Sequence, residues 1–578
     1  MEKRNSIVII GGTACGPKAG ARARRCNPQA RITILEQENN LSVATCGLPY
    51  YISGVIDSQN SLVARSRGFF KDVMDIEALT RTKALAVDCE AHRVEILNLE
   101  TNKVSTIDYD KLVLATGSAP VVPDVEGSQL EGIFTLTKIK DANAIRNLIS
   151  PREIRKATII GAGLVGLEMA EAFVSQGLEV TVVEALDWVL PTLFDFEVAA
   201  YIGRHLQEKG VNIVLGQQVI GFENDKNGRV RKVITKDIEL ETSLVLLAIG
   251  TRPSTELAQE AGLTIGPTGG IAVNRYLQTS DPDIYAGGDC VENVHRITQQ
   301  KVLAPLGSTA NKHGRVIGTN IAGGSEIFPG VLGTTIAKVF DCNVARVGLS
   351  ELQAQEAGYD VVTCLVPGYE YATYYPKGKE ILVKLVVERS NNRLLGGQVV
   401  GPGETAKRID VLATALAFGA AVDDLANLDL AYAPPYNSAM DPLHNAANVI
   451  RNKLSGYAKT LTPMEIKSKL DNGEDFILLD VRSPGEWETR RIEAPQARLM
   501  PLRELRTKLD ELPNDAEIVT FCQASVRAYQ AQRILDGAGF ETVRFMDGSI
   551  AAWPYGILST RPHSVAKGTT HKMKWSSE

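Results

Sequence analysis

Runs of apolar residues followed by glycine-rich turns occur twice in this chain. The first run, Ser6–Ile10, leads into a small-residue helix predicted at Ala19–Arg25 and a second strand at Arg31–Leu35. The second copy runs from the apolar strand Ala157–Ile160 through a helix to the strand Glu179–Val183. Buried parallel strands are continuously apolar, and the order strand, glycine turn, helix, strand is typical of a βαβ unit. The pattern therefore predicts two dinucleotide sites.

The later part of the chain follows a different pattern. Strands predicted at Thr334–Phe340 and Ile381–Glu388 precede a long helix at Glu404–Gly419, and a new α/β unit begins at Leu461 and ends near Trp553–Gly556. We expect an α/β protein with two Rossmann-like domains, an α+β domain and a C-terminal α/β domain.

Composition narrows the class of protein. The 578 residues suggest about four domain-sized units, and the net charge of −6 comes from interspersed signs, which argues against nucleic-acid binding. No secretory signal follows Met1, and the longest apolar stretch, near Val411–Val422, is shorter than the ~20 residues that span a bilayer. The eight cysteines form no CxxC pair, so we expect a cytoplasmic enzyme with neither a metal site nor a disulfide framework.

The second glycine turn carries the full G-x-G-x-x-G pattern at Gly161, Gly163 and Gly166. Glu184 follows about 20 residues later, at the end of the next strand. A carboxylate there accepts hydrogen bonds from ribose hydroxyls but repels a 2′-phosphate. The pattern therefore favours NADH over NADPH.

The first glycine turn departs from the pattern, because Thr13 replaces the middle glycine. Its context still indicates a nucleotide site: Glu36 closes the second strand, Leu114-Ala115-Thr116-Gly117 follows another, and a T-S-D-P-D-I-Y-A-G-G-D stretch ends at Asp289. Together these residues resemble the pyridine nucleotide–disulfide oxidoreductases over roughly the first 450 residues.

The resemblance implies FAD on the first βαβ unit, NADH on the second, and a homodimer built by the domain that follows. The implied domains are 1–117 and 247–325 for FAD, 118–246 for NAD(H) and 326–453 for dimerisation. The further α/β unit predicts a C-terminal domain at 460–558, and the polar residues without period at 559–578 predict a flexible tail. The implied cofactor-binding residues are Gly11, Gly12, Gly16, Glu36, Ala84, Ala115, Thr116, Gly117, Asp289, Leu306, Gly161, Gly163, Gly166, Glu184 and Gly250.

Cys46 is the candidate redox centre. A glutathione reductase-like chain has a second cysteine five residues on, where this chain has Tyr51. Cys46 must therefore react with an external partner, as a mixed disulfide, a persulfide or a sulfenate. The stretch Cys46–Tyr50 resembles coenzyme A (CoA) disulfide reductases of the single-cysteine branch, although Thr45 and Val43 replace an Asn and a Phe of that pattern.

Two further stretches, Tyr371–Pro376 and Asp429–Pro435, resemble segments of the same branch. In that branch a tyrosine from each stretch reaches the partner subunit's active site and can protonate a leaving thiolate. The resemblance assigns this role to Tyr432 and to Tyr374 or Tyr375. It also implies a CoA site that contains Arg22, Arg25 and Ser42.

The C-terminal unit carries a second candidate cysteine. A buried strand, Ile518–Phe521, leads into the loop Cys522–Arg527 and then a helix. Backbone N–H groups of such a loop, with Arg527, stabilise a thiolate or persulfide anion at a helix N-terminus. The segment Phe476–Arg482 resembles the beginning of a rhodanese domain, and together with the Cys522 loop it makes the whole unit resemble such a domain. The six-residue length of the loop suits sulfur transfer.

We therefore expect an FAD-dependent, NADH-driven reductase of CoA persulfide, polysulfide or CoA disulfide, which acts at Cys46 and uses Cys522 to handle sulfane sulfur. Two alternatives stay open. One is an NADH oxidase or peroxidase that cycles through Cys46 sulfenate, and the other is a redox or sulfide sensor. The role of Cys15, in the flavin loop, is undecided.

Overall fold

The computed structural model describes residues 5–150 and 153–559. The chain divides into two compact units: the first holds the residues up to Asp187 together with Gly210–Val331, and the second holds Trp188–Lys209 together with the residues from Leu332 onward. Among the described residues, none of the helices combines the length and the apolar character that crossing a bilayer requires. Residues 560–578, most of the expected tail, lie outside the described residues.

The first unit contains a five-stranded parallel sheet whose central strand is Ser6–Ile10. Its isoleucines and valine are almost fully buried. The helices Cys15–Cys26 and Gly307–Asn320 pack closely on one face because Gly314 has no side chain; a Cβ there would lie 2.4 Å from the Cys15 carbonyl oxygen. The strand order is Ile284–Ala286, Lys111–Leu114, Ser6–Ile10, Arg31–Leu35 and Glu77–Leu79.

A second parallel sheet in the same unit repeats this plan. Its strand order is Asn212–Val214, Glu179–Val183, Lys156–Ile160, Leu244–Leu247 and Ile133–Phe134, and its helices are Ile139–Ile149 and Leu164–Ser175. Two antiparallel three-stranded sheets complete the unit, Thr82–Asp88 with Arg93–Asn98 and Lys103–Asp108, and Val219–Asn224 with Val230–Thr235 and Glu239–Glu241. Shorter pieces are Thr45–Gly47, Leu48–Ser53, Gln59–Leu62, Phe69–Val73, Ser118–Pro120, Thr251–Pro253, Glu256–Glu260, Asn293–Val294 and Lys301–Val302.

The second unit has an antiparallel sheet and a parallel one. The antiparallel sheet has the order Thr335–Val339, Cys342–Gly348, Leu394–Gly401, Glu380–Glu388 and Val361–Tyr369. The helices of this part are Phe196–Glu208, Glu351–Glu356, Ala406–Ala417, Val422–Ala426 and Pro442–Leu454.

The parallel sheet has the order Thr460–Leu461, Val543–Met546, Ile518–Phe521, Ile477–Asp480 and Ala497–Leu499. Its helices are Pro463–Asp471, Pro484–Thr489, Leu502–Leu505, Leu509–Glu511, Val526–Gly537 and Ser549–Ala552, and a small ribbon joins Arg490–Arg491 to Leu558–Ser559. The observed layers confirm the predicted fold class.

Buried charges hold parts of the second unit together. The ammonium of Lys384, 1% exposed, lies 2.7–3.2 Å from carboxylates of Glu351, Glu197 and Asp195. Two of these carboxylates belong to Trp188–Lys209, a segment that the sequence analysis assigns to the NAD(H)-binding domain. A buried ammonium needs such partners, so the cluster ties this segment to the antiparallel sheet. The domain boundaries themselves stay predictions.

The C-terminal sheet is also joined to the antiparallel sheet by a buried ion pair. Asp547 is 2% exposed, and its Oδ2 accepts from Lys453 Nζ at 2.6 Å and from the Leu365 N–H at 3.2 Å. Burial raises the pKa of the Asp547 carboxyl, and Lys453 opposes that shift.

Candidate active site

The first glycine turn is shaped by close backbone contacts. A Cβ on Gly11, whose φ is +113°, would lie 2.0 Å from the Ala115 carbonyl oxygen, and one on Gly16 would lie 2.0 Å from that of Gly11. The Gly12 N–H donates to Glu36 Oε2 at 2.7 Å. The turn thus requires glycine at these positions and places a buried carboxylate beside it.

The second turn has the same construction. A Cβ on Gly166 would lie 2.1 Å from the Gly161 carbonyl oxygen, whereas one on Gly163 would meet no atom closer than 4.0 Å. The Ala162 N–H donates to Glu184 Oε2 at 2.8 Å. Open space at Gly163 is where the backbone of such a turn admits a pyrophosphate.

The other predicted cofactor residues of the first unit lie after strands, at the start of a helix and within one strand. Burial raises the pKa of the Asp289 carboxyl, which accepts from Ser118 Oγ at 3.3 Å. Thr116 Oγ1 donates to the Ser254 carbonyl at 2.6 Å. Leu306 precedes the helix that follows Asp289, which begins at Gly307. Ala84 lies in an antiparallel strand, and both Gly117 and Gly250 have positive φ values, +72° and +105°.

Cys46 lies in a short turn, Thr45–Gly47, and its side chain is exposed. All eight cysteines of the chain fall within the described residues, and all are free. Partial burial, followed by the charges of Glu168 and Asp289, raises the pKa of the Cys46 thiol. Burial also raises the pKa of Glu168, on the helix Leu164–Ser175, to about 7. Glu168 is a site residue that the sequence analysis missed, and the titration of its carboxyl falls near neutral pH.

Tyr51 fills the position where a glutathione reductase-like chain has its second cysteine. Its ring is 8% exposed, its hydroxyl donates to Asn143 Oδ1 at 3.0 Å, and the Arg146 guanidinium lies 4.2 Å from the ring centroid. The side chain is thus a packed part of the unit, and Cys46 has no cysteine at that position with which to pair.

Some of the predicted CoA-binding residues already make hydrogen bonds within the chain. Arg22 Nε donates to Thr319 Oγ1 at 2.9 Å, and Arg25 is exposed. Ser42 has a left-handed backbone with φ of +51°, and its carbonyl accepts from the Ala64 N–H at 3.0 Å. This contact brings the next residue, Arg65, into the same neighbourhood.

In the second unit, the two tyrosine stretches meet. The hydroxyls of Tyr374 and Tyr432 lie 3.1 Å apart, and both side chains are exposed. Tyr375 packs edge-on against Tyr371 instead, with ring centroids 6.1 Å apart. Of the two phenols that the sequence left open, Tyr374 is therefore the one paired with Tyr432.

Arg408 fixes the loops that carry these tyrosines. Its guanidinium is 1% exposed and donates to the Glu370 carbonyl at 2.9 Å and to Asn437 Oδ1 at 3.2 Å, and it lies 3.2 Å from the Asp441 carboxylate. Glu370 precedes the first stretch, whereas Asn437 and Asp441 follow the second. One buried cation thus orders both loops.

The second cysteine lies in a loop of the parallel sheet of this unit. Cys522 is 1% exposed and follows the strand Ile518–Phe521, and the helix Val526–Gly537 begins four residues later. Arg527 makes a two-point ion pair with Glu486, at 2.7 and 2.9 Å, which lowers the pKa of Glu486 to about 2. The Glu486 carboxylate thus matches the charge of Arg527.

Comparison with known proteins identifies the families that the two parts of the chain match. The chain matches the family described as pyridine nucleotide-disulphide oxidoreductase over residues 5–310 and the dimerisation domain of the same family over 334–444. It belongs to the pyridine nucleotide-disulphide oxidoreductases. Residues 462–554 match the rhodanese-like domain. The resemblance drawn from the sequence is confirmed for both parts of the chain.

Relatives of this oxidoreductase include proteins named for sulfur chemistry. A "NAD(P)H sulfur oxidoreductase (CoA-dependent)" of Pyrococcus abyssi is 39% identical over 78% of this chain and 99% of its own. The solved structure of a NAD-dependent persulfide reductase from A. fulgidus is 43% identical, with a TM-score of 0.90 over 95% of this chain and all of that one. CoADR-RHD of Bacillus anthracis is 35% identical, with a TM-score of 0.90 over 95% and 98%.

The oxidoreductase uses FAD and NAD(P)H, the cofactors of its family, and the two glycine turns fit them. Each turn brings an N–H and a strand-end carboxylate together, and the Gly163 position leaves room for a phosphate. The individual cofactor and catalytic residues stay predictions.

Proposed function

We propose that this oxidoreductase uses NADH to cleave sulfur–sulfur bonds, with CoA persulfide as substrate and polysulfide and CoA disulfide as related ones. The observation that carries the proposal is the setting of Cys46. Its thiol is exposed and free, while Tyr51 occupies the place of a partner cysteine. Such a thiol forms its mixed disulfide with a substrate rather than within the chain.

The reaction balances without a further reductant. The Cys46 thiolate attacks the CoA-bound sulfur of the persulfide, a Cys46–CoA disulfide forms, and the sulfane S–S bond breaks to release hydrosulfide. Bound FAD would supply two electrons from NADH to that disulfide. Cys46 and CoA then both regain their thiolates. The net change converts CoA persulfide, NADH and one proton into CoA, hydrogen sulfide and NAD⁺.

Glu168 would tune this step. Because the carboxyl pKa is about 7, part of the Glu168 population is neutral at physiological pH. Its negative charge raises the pKa of the Cys46 thiol, and protonation of Glu168 removes that effect. The fraction of Cys46 present as thiolate thus depends on the Glu168 proton.

We assign Cys522 the handling of sulfane sulfur. Its sulfur lies at a loop that leads into a twelve-residue helix, where N–H groups favour a thiolate or persulfide anion. The rhodanese-like domain around it and the sulfur-related names of relatives support this role.

The active form would be a homodimer in the cytoplasm. Tyr374 and Tyr432 are exposed in one chain, and the dimerisation domain that bears them supports a role facing the partner subunit. Eight free cysteines, of which Cys26 and Cys46 are exposed, suit a reducing compartment.

The test is steady-state NADH oxidation and sulfide release with CoA persulfide, polysulfide and CoA disulfide, and with oxygen alone. Cys46→Ser should lose activity by about 100-fold or more, whereas Cys26→Ser, which removes another exposed thiol, should keep it. Cys522→Ser should keep reduction of preformed CoA persulfide but fail to retain sulfur from polysulfide. Full sulfide release by Cys46→Ser, or faster turnover with oxygen alone than with any sulfur substrate, would overturn the proposal.

A further inference from the structure

A buried serine from outside the Cys522 loop lies against it. Ser549 is fully buried and stands 27 residues beyond Cys522. Its Oγ accepts from the Cys522 N–H at 3.2 Å and from the Ser525 N–H at 3.1 Å, and it lies 3.8 Å from Cys522 Sγ. The hydroxyl therefore connects two N–H groups of the loop to the sulfur.

The proton of this hydroxyl has few acceptors. Two N–H donors occupy the lone pairs of Ser549 Oγ, which leaves its O–H to donate. The Met546 carbonyl lies 3.4 Å away but also receives the Ser525 hydroxyl at 3.3 Å. Besides that carbonyl, the Ser525 hydroxyl lies 3.4 Å from Ser549 Oγ and Cys522 Sγ lies 3.8 Å away, and of these acceptors only the sulfur can carry a negative charge. A hydroxyl that accepts two hydrogen bonds becomes a stronger donor, and an anionic sulfur is a better acceptor than a thiol.

The backbone holds Ser549 in an unfavourable conformation. Its φ of +52° lies in the left-handed region, which glycine adopts at lower cost than serine. The turn is fixed by N–H bonds from Ile550 to the Cys522 carbonyl, at 3.2 Å, and from Ala551 to the Gln523 carbonyl, at 3.1 Å. Strain of this kind is typical of functional sites, where the side chain gained outweighs the backbone cost.

We propose that Ser549 is the positioning residue of the sulfur-carrying cysteine, and that its hydroxyl stabilises the anionic sulfur of Cys522. The inference rests on the role proposed above for Cys522. The Arg527 guanidinium is already paired with Glu486, so its charge is largely matched. The Ser549 hydroxyl has no carboxylate partner among the described residues and therefore contributes more than Arg527 to stabilising the anionic sulfur.

The experiment uses the full-length FAD-loaded protein and two variants, Ser549→Ala and Ser549→Gly. Alkylation of Cys522 by iodoacetamide at pH 7, followed by mass spectrometry of its peptide, reports the reactive thiolate. Both variants should react about tenfold more slowly than the wild type, since both lack the donor. Ser468→Ala, a serine replaced elsewhere in the same domain, should react at the wild-type rate.

The two variants distinguish a role of Ser549 in positioning the Cys522 sulfur from a purely structural role. Glycine relieves the left-handed backbone strain, so the Ser549→Gly protein should have a higher melting temperature than Ser549→Ala. The alkylation rate of Cys522 should nevertheless fall equally in both variants. Unchanged alkylation, or rates that follow the melting temperatures, would overturn the role of Ser549. Failure of wild-type Cys522 to take up sulfur from polysulfide would instead overturn the proposed sulfur-carrier role, whatever the alkylation rates.

Discussion

The phenol oxygens of Tyr374 and Tyr432 lie 3.1 Å apart although 58 positions separate the two residues in the chain. Each belongs to a loop to which Arg408 donates a hydrogen bond, so one buried cation stabilises both loops of the pair. The hydrogen bond to Tyr432 raises the pKa of Tyr374. The two loops thus present one hydrogen-bonded pair of phenols rather than two independent side chains.

If this pair acts as a proton donor to a leaving thiolate, Tyr432→Phe should lower kcat for CoA persulfide about 100-fold. Tyr374→Phe should have a smaller effect, because Tyr432 keeps its own proton. The measurement is NADH-dependent sulfide release at saturating substrate. Tyr436→Phe, which changes an exposed tyrosine of the same loop, is the matched control and should lose less than about twofold. Equal, small losses of kcat in all three variants would show that Tyr374 and Tyr432 do not act as proton donors.

The carboxyl of Glu168 should make the first unit less stable as pH rises. Its pKa is about 7 in the folded protein and near 4.5 when solvated, so the folded state binds more protons between these values. The contribution of Glu168 to stability is therefore greatest below about pH 4.5, falls as pH rises towards 7 and then levels off. Glu168→Gln should melt at the wild-type temperature near pH 4.5 but be about 2 kcal/mol more stable at pH 8. Glu179→Gln, on an exposed strand end, serves as the control in the same melting curves.

The same carboxylate should slow the reaction of Cys46 with alkylating agents. Its charge is among the causes that raise the pKa of the Cys46 thiol. At pH 8, Glu168→Gln should therefore be alkylated about three- to tenfold faster than the wild type. Near pH 5, where Glu168 is protonated, the two proteins should react alike. A rate difference that persists unchanged at pH 5 would show that the charge is not the cause.

Glu184 should set the preference between NADH and NADPH. Its carboxylate accepts from the Ala162 N–H at 2.8 Å and from the Leu186 N–H at 3.0 Å, which fixes a negative charge beside the second glycine turn. Glu184→Gln should raise the ratio of kcat/KM for NADPH over NADH about five- to tenfold, because the repulsion of a 2′-phosphate is lost. Asp187→Asn, which removes a carboxylate three residues on, should change this ratio less than twofold. An unchanged ratio in the Glu184 variant would show that other residues set the preference between NADH and NADPH.

The buried pair of Lys453 and Asp547 should hold the rhodanese-like domain against the antiparallel sheet. Lys453→Met leaves the Asp547 carboxylate, 2% exposed, without its cation and should destabilise the second unit by about 3–5 kcal/mol. The double variant Lys453→Met/Asp547→Asn should recover most of that loss, since the buried charge is then gone. Thermal melting and limited proteolysis near residue 459 provide the measurement. A double variant as unstable as the single one would contradict the account.

Several elements were predictable from local pattern alone. The strands Ser6–Ile10, Arg31–Leu35, Glu179–Val183 and Ile518–Phe521 begin and end where the apolar runs do. Helix ends were predicted less accurately. The first helix begins at Cys15 rather than Ala19, because the glycine turn already has helical backbone where it packs on the sheet. Apolar runs report burial directly, whereas the start of a helix depends on contacts made by the preceding turn.

The sequence by itself determined the two glycine turns, the strand-end carboxylates Glu36 and Glu184, and a candidate redox cysteine with no local partner. These features are local, since each depends on residues within one turn or one βαβ unit. The tertiary structure alone decided that Tyr374 rather than Tyr375 pairs with Tyr432, and that Ser549 contacts the Cys522 loop. It also decided that Glu168 titrates near pH 7. These are contacts between residues far apart in the chain, or effects of burial, and neither leaves a periodic signal in the sequence.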